Sequence, residues 1–210
     1  MPATRSAPSP RRAATRIARA LATTGTVFAL CASAITTAHA QSRVPVRTFT
    51  LTSPAFESGA LMPPAHTQAG RDVSPPLAWS GAPDSVRSYV LLLRDLDAVT
   101  ADSPDGLLHW LVWNIPGSAA SLPAGVPSGA QREDGSRQIS VSGPYYRGPA
   151  APSNGPPHHY LFELYALDGS INVPAATLSP AATRDAVLAA MAGRVRGKAV
   201  LVARYRRPAP

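Results

Sequence analysis

An alternating run, His158-His159-Tyr160-Leu161-Phe162-Glu163-Leu164-Tyr165, reads as a β-strand entered through a proline-rich loop. Successive side chains of a strand point to opposite faces, so His158, Tyr160, Phe162 and Leu164 share one side while His159, Leu161, Glu163 and Tyr165 share the other. Polar groups therefore lead into apolar ones on a single face, as at a binding site on the rim of a core. Leu107-Leu108-His109-Trp110-Leu111-Val112-Trp113 has the same layout, with His109 expected on the face of Leu107, Leu111 and Trp113 and Trp110 on the opposite one. Ser88 to Leu96 is a third strand, and it runs out into Asp95 and Asp97. Further strands are expected over Arg47 to Leu51 and Lys198 to Arg206, with the strand beginning at His158 or His159 continuing to Leu167. One helix is predicted, over Ala181 to Ala192. Ser179 is placed to cap it, Pro180 suits its first turn, and Gly193 ends it. The 23 prolines exclude long helices over most of the chain and favour short strands joined by turns. The predicted architecture is mostly β, with a short C-terminal helix.

Three polar groups then stand where apolar strand faces open to solvent: Asp95, His109 and His158. A carboxylate at such a place needs a partner, because burying a lone charge is costly. His109 offers one for Asp95, while Asp97 reads as a solvated turn residue. The plainer alternatives are a hydrogen-bonded core histidine at 109 and a loop histidine at 158.

The N-terminus changes the accounting of charge and cysteine. Residues 1–40 carry Arg5, Arg11, Arg12, Arg16 and Arg19 and no acid, then an apolar stretch from Ala20 to Ile35 and a small-x-small site at Ala38-His39-Ala40. This pattern predicts a secretory signal peptide over 1–40, cleaved after Ala40, with one domain over 41–210. Arg11-Arg12 lacks the apolar residues of a twin-arginine signal, and Leu30 before Cys31 does not suit a lipid anchor. The apolar stretch is too short for a transmembrane segment. The chain's formal charge of +8 comes from 20 basic and 12 acidic residues; loss of the five leader arginines leaves +3, too mild to argue for nucleic acid. The only cysteine, Cys31, leaves with the leader, which excludes cysteine nucleophiles, thiolate metal sites and disulfides in the mature domain. A periplasmic or secreted bacterial protein is the expectation.

The order of several segments resembles the phosphatidylethanolamine-binding protein family, in particular its bacterial Raf-kinase-inhibitor-like branch. Ser53-Pro54-Ala55-Phe56-Glu57-Ser58-Gly59 and Ser74-Pro75-Pro76-Leu77-Ala78-Trp79-Ser80-Gly81 look like that branch's opening signature. Asp95-Leu96-Asp97-Ala98 is similar to its Asp-Pro-Asp-Ala-Pro segment, His109-Trp110 with Asn114-Ile115-Pro116 to the next strand, Gly148-Pro149 to its Gly-Pro-x-Pro-Pro loop, and His158-His159-Tyr160 to its His-x-Tyr strand. The resemblance implies an antiparallel β-sandwich with a small anion-binding pocket at one end, formed by Asp95, His109, Gly148, His158 and Tyr160. In that reading His109, His158, the Tyr160 hydroxyl and the Gly148 N–H donate to a small anionic or phosphorylated ligand, and Asp95 orients an imidazole. Leu96 and Val99 replace the prolines of the first segment, and Gly148-Pro149-Ala150-Ala151-Pro152 carries alanine where the family has proline, so looser pocket walls are expected. A protein partner would dock at the loop from Gly143 to Pro157.

The expected function is that of a binding protein, without a cofactor. The alternative is a metal-dependent hydrolase with Asp95, His109 and His158 as a two-histidine, one-carboxylate ligand set. A protein-inhibitor module with a vestigial pocket is a third reading. A serine hydrolase is disfavoured by the lack of a Gly-x-Ser-x-Gly elbow.

Overall fold

The computed structural model describes residues 48–101, 103–175 and 178–210; the expected leader, its cleavage point and Arg47 lie outside them. Within them run β1 (Thr50–Thr52), β2 (Leu77–Ser80), β3 (Ser88–Asp95), β4 (Leu107–Pro116), β5 (Ser121–Leu122), β6 (Arg137–Ile139), β7 (His158–Leu167), α1 (Pro180–Met191) and β8 (Val195–Tyr205). A 3-10 turn occupies Pro64–His66. The strands form two sheets, β1-β2-β5 and β6-β4-β3-β7-β8, and every pairing is antiparallel. This is the expected mostly-β sandwich with one short helix. The last strand begins and ends earlier than Lys198 to Arg206, and the short β2, β5 and β6 were not anticipated.

The central strands explain themselves by what covers them. Tyr89, Leu91 and Leu93 of β3 pack with Trp79, Leu51 and Leu122 of the small sheet, while Val90 and Leu92 pack on the other side with Trp113, Ile139 and Val187 and Met191 of α1. A strand covered on both faces needs a continuous apolar run, and β3 has one. The outer strand β8 buries Ala199, Leu201, Ala203 and Tyr205 and exposes Val200 and Arg204 between them. The Ser179 hydroxyl accepts from the Ala182 N–H at 3.3 Å and Pro180 opens α1. Gly193 takes φ +75 just beyond its end, where the left-handed region favours glycine.

Two irregularities interrupt β4, and the first shapes the site. Leu93 pairs with Trp110 but Arg94 pairs with Leu108, which leaves His109 as the extra residue of a β-bulge. The phase of the strand reverses there. Leu111 and Trp113 pack on the helix side, whereas Trp110 packs in the sandwich core with Tyr160, whose ring His109 meets edge-on. The bulge therefore corrects the expected grouping of His109 with Leu111 and Trp113 and opposite Trp110, while Trp110 does lie opposite Leu111 and Trp113. A second shift between Tyr89 and Leu91 coincides with Asn114 at φ 57, whose side-chain amide donates to the Ile171 carbonyl and accepts from the Ile171 N–H.

Candidate functional site

Antiparallel neighbours place the end of one strand beside the start of the next, so Asp95 at the end of β3 lies beside the starts of β4 and β7, with the end of β8 on the far side of β7. Asp95, His109, His158 and Tyr160 accordingly line one cleft of about 300 Å³, together with Gln68, Leu107, Arg147, the Ala150–Pro152 backbone and Arg207. A larger groove of about 660 Å³, walled by Leu61, Met62, Pro63, Pro157 and Pro208, adjoins it at Arg207 and holds no histidine or carboxylate. The histidines and the carboxylate are in the smaller cleft.

Asp95 is buried and fully engaged. Its Oδ2 and Oδ1 lie 2.9 and 3.1 Å from the Nδ1 of His158, and Oδ1 also accepts from the backbone N–H groups of Asp97 (3.0 Å) and Ala98 (3.2 Å). A carboxylate only accepts, so His158 carries a proton on Nδ1 and turns Nε2 outward. The Tyr160 hydroxyl accepts from the N–H groups of Ala150 (3.3 Å) and Ala151 (3.2 Å) and stands beside the Asp95 carboxylate. Burial, and then the neighbouring carboxylate, push the phenol's pKa far above its ordinary value. Tyr160 thus anchors the loop through its hydroxyl oxygen.

His109 Nδ1 donates to the Arg147 carbonyl at 2.8 Å, and the Arg147 N–H donates back to the His109 carbonyl. Burial lowers the imidazole's pKa, against the opposing pull of the Arg147 carbonyl and of Asp95. Gly148 lies behind the wall of the cleft. Its N–H donates to Asp72 Oδ1 at 2.7 Å and its carbonyl accepts from the Gln68 side-chain amide at 2.7 Å. A Cβ there would lie 2.5 Å from the His66 carbonyl oxygen, which explains the glycine by close backbone approach. The expected Gly148 donor is already committed within the fold. At the rim, Asp97 accepts from the backbone N–H and Nδ1 of His159 at 2.5 and 3.0 Å, both side chains well exposed. The His159 backbone N–H chiefly holds its carboxyl below the ordinary value.

Arg147 and Arg207 were missed by the sequence reading. Neither forms an ion pair with a carboxylate among the described residues. The only signals were an arginine directly before Gly148-Pro149 and a basic C-terminal run, Arg204, Arg206 and Arg207. The hydrolase alternative fares worse. No cluster of three His, Cys, Asp or Glu among the described residues has a metal-holding arrangement.

A sequence profile of the phosphatidylethanolamine-binding protein family matches residues 52–206, most of the chain. The chain belongs to the phosphatidylethanolamine-binding protein family. A UPF0098 protein of Methanothermobacter thermautotrophicus is 39% identical over 156 residues, covering 73% of this chain and 95% of that protein. Mycobacterium tuberculosis LppC, named as a candidate lipoprotein, is 34% identical over 160 residues, 74% of this chain and 71% of its own length. Among solved structures, Escherichia coli YbcL, described as a new member of the mammalian family, matches with a TM-score of 0.61 and 28% identity over 76% of this chain and 98% of its own. The phosphatidylethanolamine-binding fold thus accounts for both sheets and for the helix.

Proposed function

We propose that this is an exported binding protein whose cleft takes a small phosphate-type anion. The observation that carries the reading is the presence of Arg147 and Arg207 at a cleft whose one lining carboxylate among the described residues, Asp95, already accepts from His158 and two backbone N–H groups. Guanidinium groups recognise phosphate through paired, charge-assisted hydrogen bonds. The outward Nε2 of His158 adds a further contact, and about 300 Å³ suits a phosphate with a small substituent. Binding is favoured over catalysis because the cleft presents no activated nucleophile and the family is named for binding. Export is supported by the leader-like residues 1–40 and by the name of the mycobacterial relative. The outer edge of the loop from Gly143 to Pro157, whose inner side walls the cleft, is the place for a protein partner.

The test is isothermal titration calorimetry of the purified protein with inorganic phosphate and with phosphoethanolamine, in a buffer free of other oxyanions. Arg147→Ala and Arg207→Ala should each weaken binding by about tenfold, the effect of one lost charge-assisted bond, without lowering the melting temperature, whereas His158→Ala should weaken binding and also lower the melting temperature, because it takes from the buried Asp95 its imidazole partner. No binding by the wild type, or unchanged affinity in all three variants, overturns the reading. N-terminal sequencing of periplasmic material should find Gln41 first, and an intact leader there would refute export with cleavage after Ala40.

A further inference from the structure

We infer that a second copy of this chain covers the outer face of β7 and β8, giving a transient two-fold dimer. The inference goes beyond the anion-binding reading and does not depend on it. On the outer face of the larger sheet, α1 packs with Val90 and Leu92 of β3 and with Leu111 and Trp113 of β4. Beyond them the same face stays open: Leu161, Tyr165 and Val202 are half-buried, and Val200 is 51% exposed. At the end of this face the backbone sets four exposed side chains in a row. The Leu96 N–H donates to the His159 carbonyl at 2.9 Å, and His159 pairs with Arg204. Arg204 in turn bonds through its N–H and carbonyl to Ala60 and Met62, with Leu61 between them. Leu96 is 39% and Leu61 59% exposed. Single exposed aliphatic side chains are ordinary, but a contiguous set on one uncovered sheet face marks a contact surface.

The pattern across the line between β7 and β8 identifies the occupant. A two-fold axis lying along that line, in the plane of contact, lays each β7 position over its β8 neighbour in the other copy. Leu161 then meets Val202, Tyr165 meets the aliphatic stem of Lys198, and Leu96 meets Leu61. The same rotation brings Asp97 to Arg204. Asp97 is 42% exposed; its Oδ2 is held by His159, and no described residue donates to its Oδ1. Arg204 donates Nε to the Gly59 carbonyl at 2.7 Å and pairs with no carboxylate among the described residues. Within one copy the two charges do not pair; two copies pair them twice, through charge-assisted hydrogen bonds. Sheets packed face to face with nearly aligned strands are an ordinary arrangement. An anionic lipid surface suits this face less, because Asp97 stands among the groups it would meet. The open face measures roughly 15 Å by 20 Å, well short of the ~800 Å² per partner of a stable complex, so a dissociation constant of about 10–100 µM is expected.

The experiment is sedimentation equilibrium of the purified protein from about 10 µM to about 1 mM, over which the wild type should pass from monomer to dimer. Val200→Glu puts a charge in the middle of the face, and Arg204→Glu sets a carboxylate against Asp97. Each should raise the dissociation constant at least about tenfold with an unchanged circular dichroism spectrum. Asp97→Arg should do the same by setting two guanidinium groups together. Equal amounts of Arg204→Glu and Asp97→Arg should associate when mixed, because both contacts of the mixed dimer then join opposite charges. A wild type that stays monomeric at about 1 mM overturns the inference, and so does a dimer whose constant neither Val200→Glu nor Arg204→Glu changes. A mixture no more associated than its parts overturns the two-fold apposition of Asp97 and Arg204. Where Asp97→Arg does not fold, the constants of the other two variants decide the matter. Pelleting of a monomeric wild type with phosphatidylglycerol vesicles, lost in Val200→Glu, would assign the face to lipid instead. Phosphate affinity should be the same in Val200→Glu as in wild type, so this inference and the anion-binding reading fail separately.

Discussion

Asp72 offers a perturbation whose size can be worked from two separate features. It is one of two non-glycine residues with positive φ among those described, at φ 55, and its Oδ1 accepts from the Gly148 N–H at 2.7 Å. Around it the segment 64–74 grips the wall of the cleft: Tyr146 donates its hydroxyl to the His66 carbonyl, and Gln68 bonds the carbonyls of Gly148 and Pro149. A charge-assisted bond of this kind contributes about 1.5–3 kcal/mol, and a neutral acceptor about half as much. A left-handed backbone costs an alanine about 1–2 kcal/mol, asparagine distinctly less and glycine almost nothing. Asp72→Asn retains an acceptor and tolerates the backbone, so it should lose about 1 kcal/mol. Asp72→Gly loses the acceptor but relaxes the backbone, for a loss of about 1.5–3 kcal/mol. Asp72→Ala loses both, about 3–4 kcal/mol. Urea unfolding followed by circular dichroism measures the series, compared by midpoint at constant slope. An Asp72→Gly variant as stable as wild type would show that the bond to Gly148 contributes nothing. Equal losses in the glycine and alanine variants would show that the positive φ carries no strain. The same grip holds Arg147 at the cleft, so phosphate affinity should fall in the order of the stability losses.

Gly148→Ala should be strongly destabilising, by roughly 1–3 kcal/mol, because its Cβ would press on the His66 carbonyl and Asp72 Oδ1 rather than on a flexible side chain; a neutral result in urea unfolding would refute the close approach. The folded-state pKa of His109 lies below its ordinary value of 6.5, so the unfolded chain binds the proton first as pH falls. That contribution to stability is complete above about pH 6.5 and is lost as pH drops through it toward the folded value, so melting temperature should decline below about 6.5 and decline less in His109→Gln. Glu163 is 2% exposed between Arg94 and Lys198, each at 2.5 Å, and accepts from the Tyr165 hydroxyl at 2.9 Å. Burial raises its pKa, but the contacts with Lys198 and Arg94 outweigh that and hold it below the ordinary range. Glu163→Gln leaves Arg94 without its carboxylate and should cost about 2–4 kcal/mol, whereas Lys198→Met removes a cation that is 44% exposed and should cost about 1 kcal/mol or less. Equal losses in thermal unfolding would contradict the assigned burial.

The parts of this fold legible in the sequence are those where one physical signal dominates. The strands β3, β4 and β7 are eight to ten residues long and rich in apolar residues, so their pattern rises above chance. The strands β2, β5 and β6 are two to four residues long, too short for a period to register; β2 and β5 belong to the small sheet that covers the larger sheet's apolar face, and β6 extends the larger sheet beside β4. The site divides along the same line. Asp95 and His158 sit at strand ends that antiparallel pairing brings together, and a charged residue at the end of an apolar run is visible in the sequence. His109 was found for a reason only half right: it was placed on a face by strict alternation, yet the bulge is what turns both His109 and Trp110 toward the sandwich core. A bulge without glycine or proline leaves no local mark, since it follows from the pairing of two strands rather than from either alone. Arg147 and Arg207 were invisible for the opposite cause, because exposed arginines are common and their meaning arises only from the carboxylates they lack. The same holds for Gly148 and Tyr160, which the resemblance offered as ligand donors. The Gly148 N–H and carbonyl are bound to Asp72 and Gln68, and the Tyr160 oxygen accepts from the loop backbone, so both residues hold the wall of the cleft in place.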